Sequence, residues 1–283
     1  PAAAAPRPSR YTHEEWDARV RLAAAYRIFD HLGWGELIYN HISLRVPGTE
    51  PHFLINPFGL HYSEVRASNL VKVDVKGNII GHSDWPINPA GFTFHGKIHE
   101  QVPVAHCVMH VHTTPTMAVC CLEEGLSFTN FYAAQLWGKV AYHDFEGITV
   151  HAEEGARILK SAQGKPVLLL RNHGPVVIGQ TLPQAFGLMW LLQRACEVQL
   201  ATQSMGPARR IPVQIPRKVM GRGRIREGQK TFIPIRLITA GVMPIVFAQT
   251  IIIVPGTLAS FTQNTWARAV ADFFTPGELP YDL

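Results

Sequence analysis

The chain is poor in cysteine and has no paired cysteine motif. Its 283 residues include four cysteines, none of which lies in a C-x-x-C pair. We therefore expect neither a disulfide framework nor a cysteine zinc site. Three of the four lie in apolar stretches, which is typical of buried free thiols in a reducing, cytoplasmic compartment. The four are Cys107, Cys120, Cys121 and Cys196.

Residues 209–236 include almost no acidic side chain, and residues 237–267 include no charged side chain of either sign. Arg and Lys cluster between 209 and 236, where Glu227 is the only acidic residue. The net charge of +5 thus comes mostly from one segment, and we expect no nucleic-acid partner. Residues 237–267 carry no Asp, Glu, Lys or Arg, a longer run than the ~20 residues of a membrane helix. Membrane contact is expected only through 237–261, and a buried soluble segment is the alternative because prolines interrupt the run.

The remaining sequence alternates helical and extended patterns without strict βαβ order. This alternation predicts a three-layer α/β/α domain around a mostly antiparallel sheet. We divide the chain into a flexible tail at 1–13, a domain at 14–206 and an atypical extension at 207–283. The tail is too short and too polar for the apolar core of a signal peptide. Helices are predicted at 14–32, 92–101, through Met117, at 151–161 and at 183–205, and strands at 41–46, 53–55, 71–75, 104–112 and on both sides of 172–174.

Two histidine motifs indicate a metal site. In a strand, side chains two positions apart point to the same face, so His110 and His112 can reach one ion. A strand breaks at Asn172–His173–Gly174 and could present a third imidazole. Three neutral imidazoles suit zinc, iron, manganese or cobalt and leave a position open for substrate. Spacing alone does not prove the site, because histidines in strands are often structural.

Four runs of sequence carry a family resemblance. They are INPFG, NPAGFTFHGKIHE, HCVMHVHTT and LLLRNHGPVVIG. In this order and spacing, residues 24–203 resemble the class II aldolase and adducin head-domain family. The resemblance implies that His110, His112 and His173 bind a divalent metal, most often Zn²⁺, with Fe²⁺ or Mn²⁺ as alternatives. It also implies a small-molecule substrate and a homo-oligomer, commonly a tetramer with sites between subunits.

The chain departs from the sugar-phosphate aldolases of that family at one position. Those enzymes carry a glutamate, a metal ligand and proton-transfer group, where this chain has Gly91. Serines that help bind phosphate are replaced by Pro89 and Ala90. Because glycine cannot move a proton and alanine cannot donate a hydrogen bond, we expect a non-phosphorylated substrate. The resemblance assigns Asn40, Asn56, Gly59 and Gly91 to the substrate site.

Three functions stay open on this fold. We expect a metal-dependent lyase that cleaves a C–C bond or decarboxylates a carbonyl or hydroxy-acid substrate. A non-haem iron oxygenase is the first alternative. The second is a non-catalytic interaction domain like the adducin head, which also lacks the glutamate but has weaker metal histidines.

Because the glutamate is missing, another titratable group would have to transfer the proton. His95 lies one helical turn after Gly91, and Tyr132 lies where aldolases supply a tyrosine from a neighbouring subunit. Both are candidate catalytic residues, with ordinary packing as the alternative. Tyr142 shares the interpretation of Tyr132, and Glu197 could support a ligating histidine. We interpret the remaining histidines of interest as surface or packing residues: His41, His82, His99 and His106.

Residues 209–261 resemble no aldolase. They are similar to part of a SecY-type translocation channel, where a basic loop with RRIPVQ and GQKTFIPIRL precedes a transmembrane helix. One such helix cannot form a pore, so the resemblance does not imply a channel.

Overall fold

The computed structural model describes residues 8–147, 152–212 and 214. The predictions for residues 1–7 and for most of the extension at 207–283, including 237–261, lie outside this range. The helices of the described part are α1 (His13–His31), α2 (Pro89–Gln101), α3 (Thr114–Cys120), α4 (Phe131–Gln135), α5 (Ala152–Ala162) and α6 (Leu182–Met205). The strands are β1 (His41–Arg45), β2 (Phe53–Ile55), β3 (Val71–Val73), β4 (Cys107–His110), β5 (Val140–His143), β6 (Val167–Leu170) and β7 (Gly174–Gly179).

The seven strands form one sheet in the order β3-β2-β1-β4-β7-β6-β5. Neighbouring strands are antiparallel except β5 and β6, which are parallel. Strand β4 lies at the centre and is paired on both sides. In that register His110 lies opposite His41 on β1 and Val176 on β7. A central position buries β4 completely, which explains why its sequence is apolar on both faces.

Helices cover both faces of the sheet, so the predicted α/β/α layering is confirmed. One face packs against α1, α3, α4 and α6 around residues such as Tyr26, Leu54 and Met109. The other face packs against α2 and α5 around Phe94, Val108 and others. The alternation of strand side chains explains the division, since consecutive residues Val108 and Met109 belong to different cores.

Helix α4, strand β5 and a 3-10 turn at Tyr62–Glu64 were not predicted from sequence. Helix α4 has five residues, too few for a helical pattern to repeat, and is capped by Asn130, whose side chain accepts from two backbone amides. Strand β5 pairs in parallel with β6, which lies 24 residues later in the chain. Such a pairing depends on tertiary contact and leaves no local signal.

Within the part of the chain that the structure describes, no helix is long and apolar enough to span a membrane.

A close contact between β7 and α6 gives a test of this packing. A Cβ added at Gly179 would lie 2.6 Å from the backbone nitrogen of Ala185 and 2.9 Å from its Cα. We expect Gly179→Ala to lower the free energy of unfolding by about 1–3 kcal/mol, because backbone cannot move aside easily. Urea denaturation measures the change.

Gly187→Ala is the matched control. No atom lies within 4 Å of a Cβ at this position in α6, and alanine favours helix over glycine by about 1 kcal/mol. The control should therefore be neutral or stabilising, and equal destabilisation by both substitutions would contradict the packing argument.

Candidate metal centre

His110 and His112 stand at the end of the central strand. His110 is 1% exposed, and its Nδ1 lies 2.9 Å from the carbonyl oxygen of Pro175. A carbonyl only accepts, so Nδ1 carries the hydrogen and leaves a lone pair on Nε2. This Nε2 lies 3.0 Å from Nε2 of His112. Two ring nitrogens that face each other at this distance need either one proton shared between them or one cation bound by both.

His173 comes from the turn between β6 and β7. The turn is closed by Asn172 in the left-handed region (φ 57°), where asparagine is among the tolerated residues. Gly174 follows, and a Cβ there would lie 2.7 Å from the carbonyl oxygen of Val111. Glycine is therefore required for β7 to approach the end of β4. This approach places one nitrogen from each of His110, His112 and His173 within 4.8 Å of one another.

The three imidazoles are held neutral, the form that binds metal. Burial lowers the pKa of His110 well below its usual range, and the neighbouring His112, His41 and His173 lower it further. Burial, followed by the nearby His173, lowers the pKa of His112 to about 4. Burial also lowers the pKa of His173. Neutral nitrogens at this spacing fit a divalent ion such as zinc.

The histidines open into a cavity of about 650 Å³. Its wall combines the three imidazoles with apolar groups from α2, α3 and the loop after β5, including Phe94, Met117 and Phe145. No Lys or Arg is among the lining residues in the described ranges. The described wall therefore offers no fixed cation for a phosphate, and a small ligand can approach the histidines.

A family model for the class II aldolase and adducin N-terminal domain matches residues 20–200. The chain belongs to the class II aldolase and adducin family. A SecY model matches residues 156–278, a range that overlaps the first and includes the segment in which the sequence resembles SecY.

Relatives of this family fall into two groups by name. A putative aldolase class 2 protein of Caulobacter vibrioides is 44% identical over 197 residues, which cover 70% of this chain and 77% of that protein. Alpha-adducin of Rattus norvegicus is 47% identical over 187 residues, which cover 65% of this chain but 25% of the adducin. The chain thus spans about a quarter of that adducin's length.

Solved structures of the family share the fold. An aldolase II superfamily protein from Pseudomonas syringae has a TM-score of 0.73 at 39% identity, covering 75% of this chain and 87% of its own. L-fuculose 1-phosphate aldolase from Glaciozyma antarctica has a TM-score of 0.68 at 27% identity, covering 77% of this chain and 86% of its own.

The four residues assigned to substrate by the family resemblance occupy different places. Gly91 lines the cavity. Asn40 is buried beside it, accepting from the backbone amide of His112 at 2.9 Å and donating to the carbonyl oxygen of Trp34 at 2.5 Å. Asn56 is buried and accepts from the Tyr26 hydroxyl at 3.0 Å. Gly59 is exposed in a turn with φ 97°. The amide of Asn40 thus fixes the backbone that carries His112, a role in positioning.

The candidate acid–base residues lie outside the cavity wall. His95 is fully buried on α2. Tyr132 is half-buried on α4, with the Arg194 guanidinium 5.7 Å from its ring centre. Glu197 contacts Gln193, which accepts from the Thr113 hydroxyl at 2.6 Å, so two hydrogen bonds join that carboxylate to the residue after His112. Tyr142 accepts from the backbone amide of Leu126.

Sequence reasoning missed three groups at the cavity. Glu36 and Tyr39 are exposed residues of the loop before β1, and both line the cavity. The ring of Tyr39 meets that of His112 edge-on at 6.2 Å between centres. His41, interpreted from sequence as a surface or packing residue, is 4% exposed and lines the wall. The aromatic Tyr39 and the titratable His41 on either side of Asn40 were the available signal for this loop.

Behind the wall lies a row of buried hydrogen bonds that we call the histidine row: His41, His95, Ser43 and His99. His41 Nδ1 is 2.8 Å from His95 Nε2, and His95 Nδ1 is 2.6 Å from Ser43 Oγ. The same Oγ is 2.7 Å from His99 Nε2. Burial lowers the pKa of His41 and His99 to about 3 and that of His95 well below its usual range.

The histidine row should make the stability of the metal-free protein depend on pH. Unfolded His99 takes up a proton near pH 6.5, whereas the folded group resists until about pH 3. Lowering the pH below 6.5 therefore favours the unfolded state, by up to about 1.4 kcal/mol per pH unit for this histidine. Urea denaturation at pH 7.5, 6 and 5 in the presence of EDTA measures the slope.

Two substitutions distinguish the contribution of His99 to this pH dependence from that of the other titratable groups. His99→Gln should reduce the slope below pH 6.5, because the unfolded chain has one proton fewer to gain. His13→Gln, at an exposed position, should keep the wild-type slope. A wild-type slope in the His99 variant would contradict the assignment.

Proposed function

We propose that residues 14–206 form a metal-dependent lyase that cleaves a C–C bond in, or decarboxylates, a non-phosphorylated carbonyl or hydroxy-acid substrate. The observation that carries the proposal is the set of three neutral imidazoles that faces one cavity. We assign His110, His112 and His173 as the metal ligands. When bound, the ion would supply a Lewis acid that polarises a carbonyl oxygen.

The cavity wall favours a substrate without phosphate. A phosphate is commonly held by Arg, Lys or several hydrogen-bond donors. Ala90 and Gly91 offer no side-chain donor, and the described lining residues include no Lys or Arg. The apolar surfaces of Phe94, Met117 and Phe145 instead exclude water from one side of the cavity.

A non-catalytic domain like the adducin head is the second candidate. It is favoured by the likeness to rat alpha-adducin and by Gly91 in place of the family's glutamate. The three histidines that stand together support the enzyme instead, since an interaction domain has no need of neutral imidazoles around a cavity. An iron-dependent oxygenase would use the same ligands, so the identity of the metal separates it from the lyase.

We also propose that the protein is cytoplasmic and acts as a homo-oligomer, commonly a tetramer in this family. In such an assembly Tyr132, half-buried on α4, would serve a neighbouring copy's site rather than its own.

Metal analysis of the full chain tests the proposal. Protein purified without added metal should retain about one divalent ion per chain, and His112→Ala should lower this content by tenfold or more because one of three ligands is lost. Inductively coupled plasma mass spectrometry measures the content. The exposed His106→Ala variant is the matched control and should hold the wild-type amount.

The results distinguish the three functions. Zinc or manganese supports the lyase, and iron supports the oxygenase. Absence of stoichiometric metal, together with a melting temperature unchanged by chelation, would favour the adducin-like domain. Equal metal content in wild type and His112→Ala would overturn the assignment of the ligands.

A further inference from the structure

We propose that Nε2 of His41 is a hydrogen-bond acceptor that positions a substrate hydroxyl group beside the metal centre, and that the histidine row fixes its tautomer. This inference rests on the proposed function and adds the chemical class of group that the site recognises. It assigns a binding role to His41 and a positioning role to His95, Ser43 and His99.

The histidine row can form because two residues along a strand span nearly the same distance as four residues along a helix. His41 and Ser43 are two positions apart on β1 and so point to the same face. His95 and His99 are four positions apart on α2, which packs on that face, and so also share one side. Two strand residues advance by about 6.8 Å and four helix residues by about 6 Å, so the two pairs interdigitate.

One carbonyl oxygen sets the direction of every hydrogen bond in the row. The oxygen of Ala105 lies 2.9 Å from His99 Nδ1 and can only accept, so Nδ1 carries the hydrogen. His99 Nε2 of the neutral ring then accepts, and Ser43 donates its single hydroxyl hydrogen to it. The Ser43 oxygen therefore accepts from His95 Nδ1.

The last step reaches the cavity. Because His95 Nδ1 is protonated, its Nε2 accepts from His41 Nδ1. The neutral ring of His41 is left with a lone pair on Nε2.

Gly91 provides the space for this group. A Cβ at position 91 would lie 2.5 Å from Nε2 of His41, so any side chain there would displace the imidazole. The ring of His41 therefore occupies the volume that a side chain at position 91 would enter. The imidazole of His41 can occupy this place only because residue 91 has no side chain.

A lone pair at this place selects the chemistry of the ligand. It accepts from a hydroxyl or an N–H group, and it disfavours an oxygen that has no hydrogen to give. His41 is not among the residues whose nitrogens cluster for metal binding in the described ranges, which leaves Nε2 available to the ligand. A substrate that carries a hydroxyl next to its metal-bound oxygen fits these constraints.

Glycolate and acetate, which differ by one hydroxyl group, probe this preference on the zinc-loaded full chain. Isothermal titration calorimetry should show tighter binding of glycolate by wild type. His41→Phe should reduce the ratio of the two affinities about fivefold, the magnitude expected for one hydrogen bond. His41→Gln, whose amide can again accept, should restore part of it.

Ser43→Ala tests the row behind His41 without changing the cavity wall. It breaks the chain of donors, so the fixed tautomer and part of the glycolate preference should be lost. Solid-state NMR of protein labelled with ¹⁵N-histidine reads the tautomer directly. Wild type should show a protonated Nδ1 and an unprotonated Nε2 for His41, assigned by the signals that disappear in His41→Gln.

Two results would overturn the inference. One is a wild-type ratio of glycolate to acetate affinity in His41→Phe. The other is a protonated Nε2 with an unprotonated Nδ1 on His41 of the wild type. If the chain retains no metal, the proposed function fails by itself, and the nitrogen spectrum still decides the tautomer.

Discussion

The approach of β7 to the end of β4 is the contact on which the candidate metal centre depends. It is possible because Gly174 has no side chain, so its backbone passes the carbonyl of Val111 where a Cβ would lie 2.7 Å away. The approach brings His173 to His110 and His112, and it also places the Pro175 carbonyl against His110 Nδ1. One glycine thus determines both which histidines meet and which nitrogen of His110 is free to bind.

The same sheet builds the wall of the cavity through the two faces of β1. His41 and Ser43 face α2, whereas Ile42 and Leu44 belong to the core beneath α1. Tyr26 of α1 holds this strand in place, since its hydroxyl accepts from the backbone amide of Ile42 at 2.9 Å. Polar and apolar partners on opposite faces fix the register of β1, because a slip of one residue would bury Ile42 among imidazoles and expose polar groups to the core.

The family includes proteins named as aldolases and proteins named as adducins, and this chain has features that bear on both. Gly91 stands where the resemblance to sugar-phosphate aldolases places a glutamate. The three histidines and the cavity stand together nevertheless. In this chain the volume beside residue 91 is filled by His41, which is held by three hydrogen bonds in series. The four buried polar side chains of the histidine row are paired with one another, which offsets the free-energy cost of burying them.

Local sequence patterns determined the parts of this protein that depend on short-range geometry. The H-x-H spacing predicted that His110, the last residue of β4, and His112, two residues after it, could reach one ion, and the strand break at Asn172–Gly174 indicated where a third imidazole would emerge. Long helices such as α1 and α6 were visible because each is a long run made mostly of helix-favouring residues. The run of short extended segments between helices also predicted the fold class, a layered α/β/α domain around a mostly antiparallel sheet.

Tertiary structure alone decided what depends on elements far apart in the chain. The pairing of β5 with β6 and the five-residue α4 have no periodic signal. His41 and His95 lie 54 positions apart, and only the packing of α2 on β1 places one behind the other. A histidine in sequence therefore looks the same whether it packs in a core, binds an ion or accepts from a ligand. Its role depends on which atoms meet each ring nitrogen, and those atoms are brought together only by the fold.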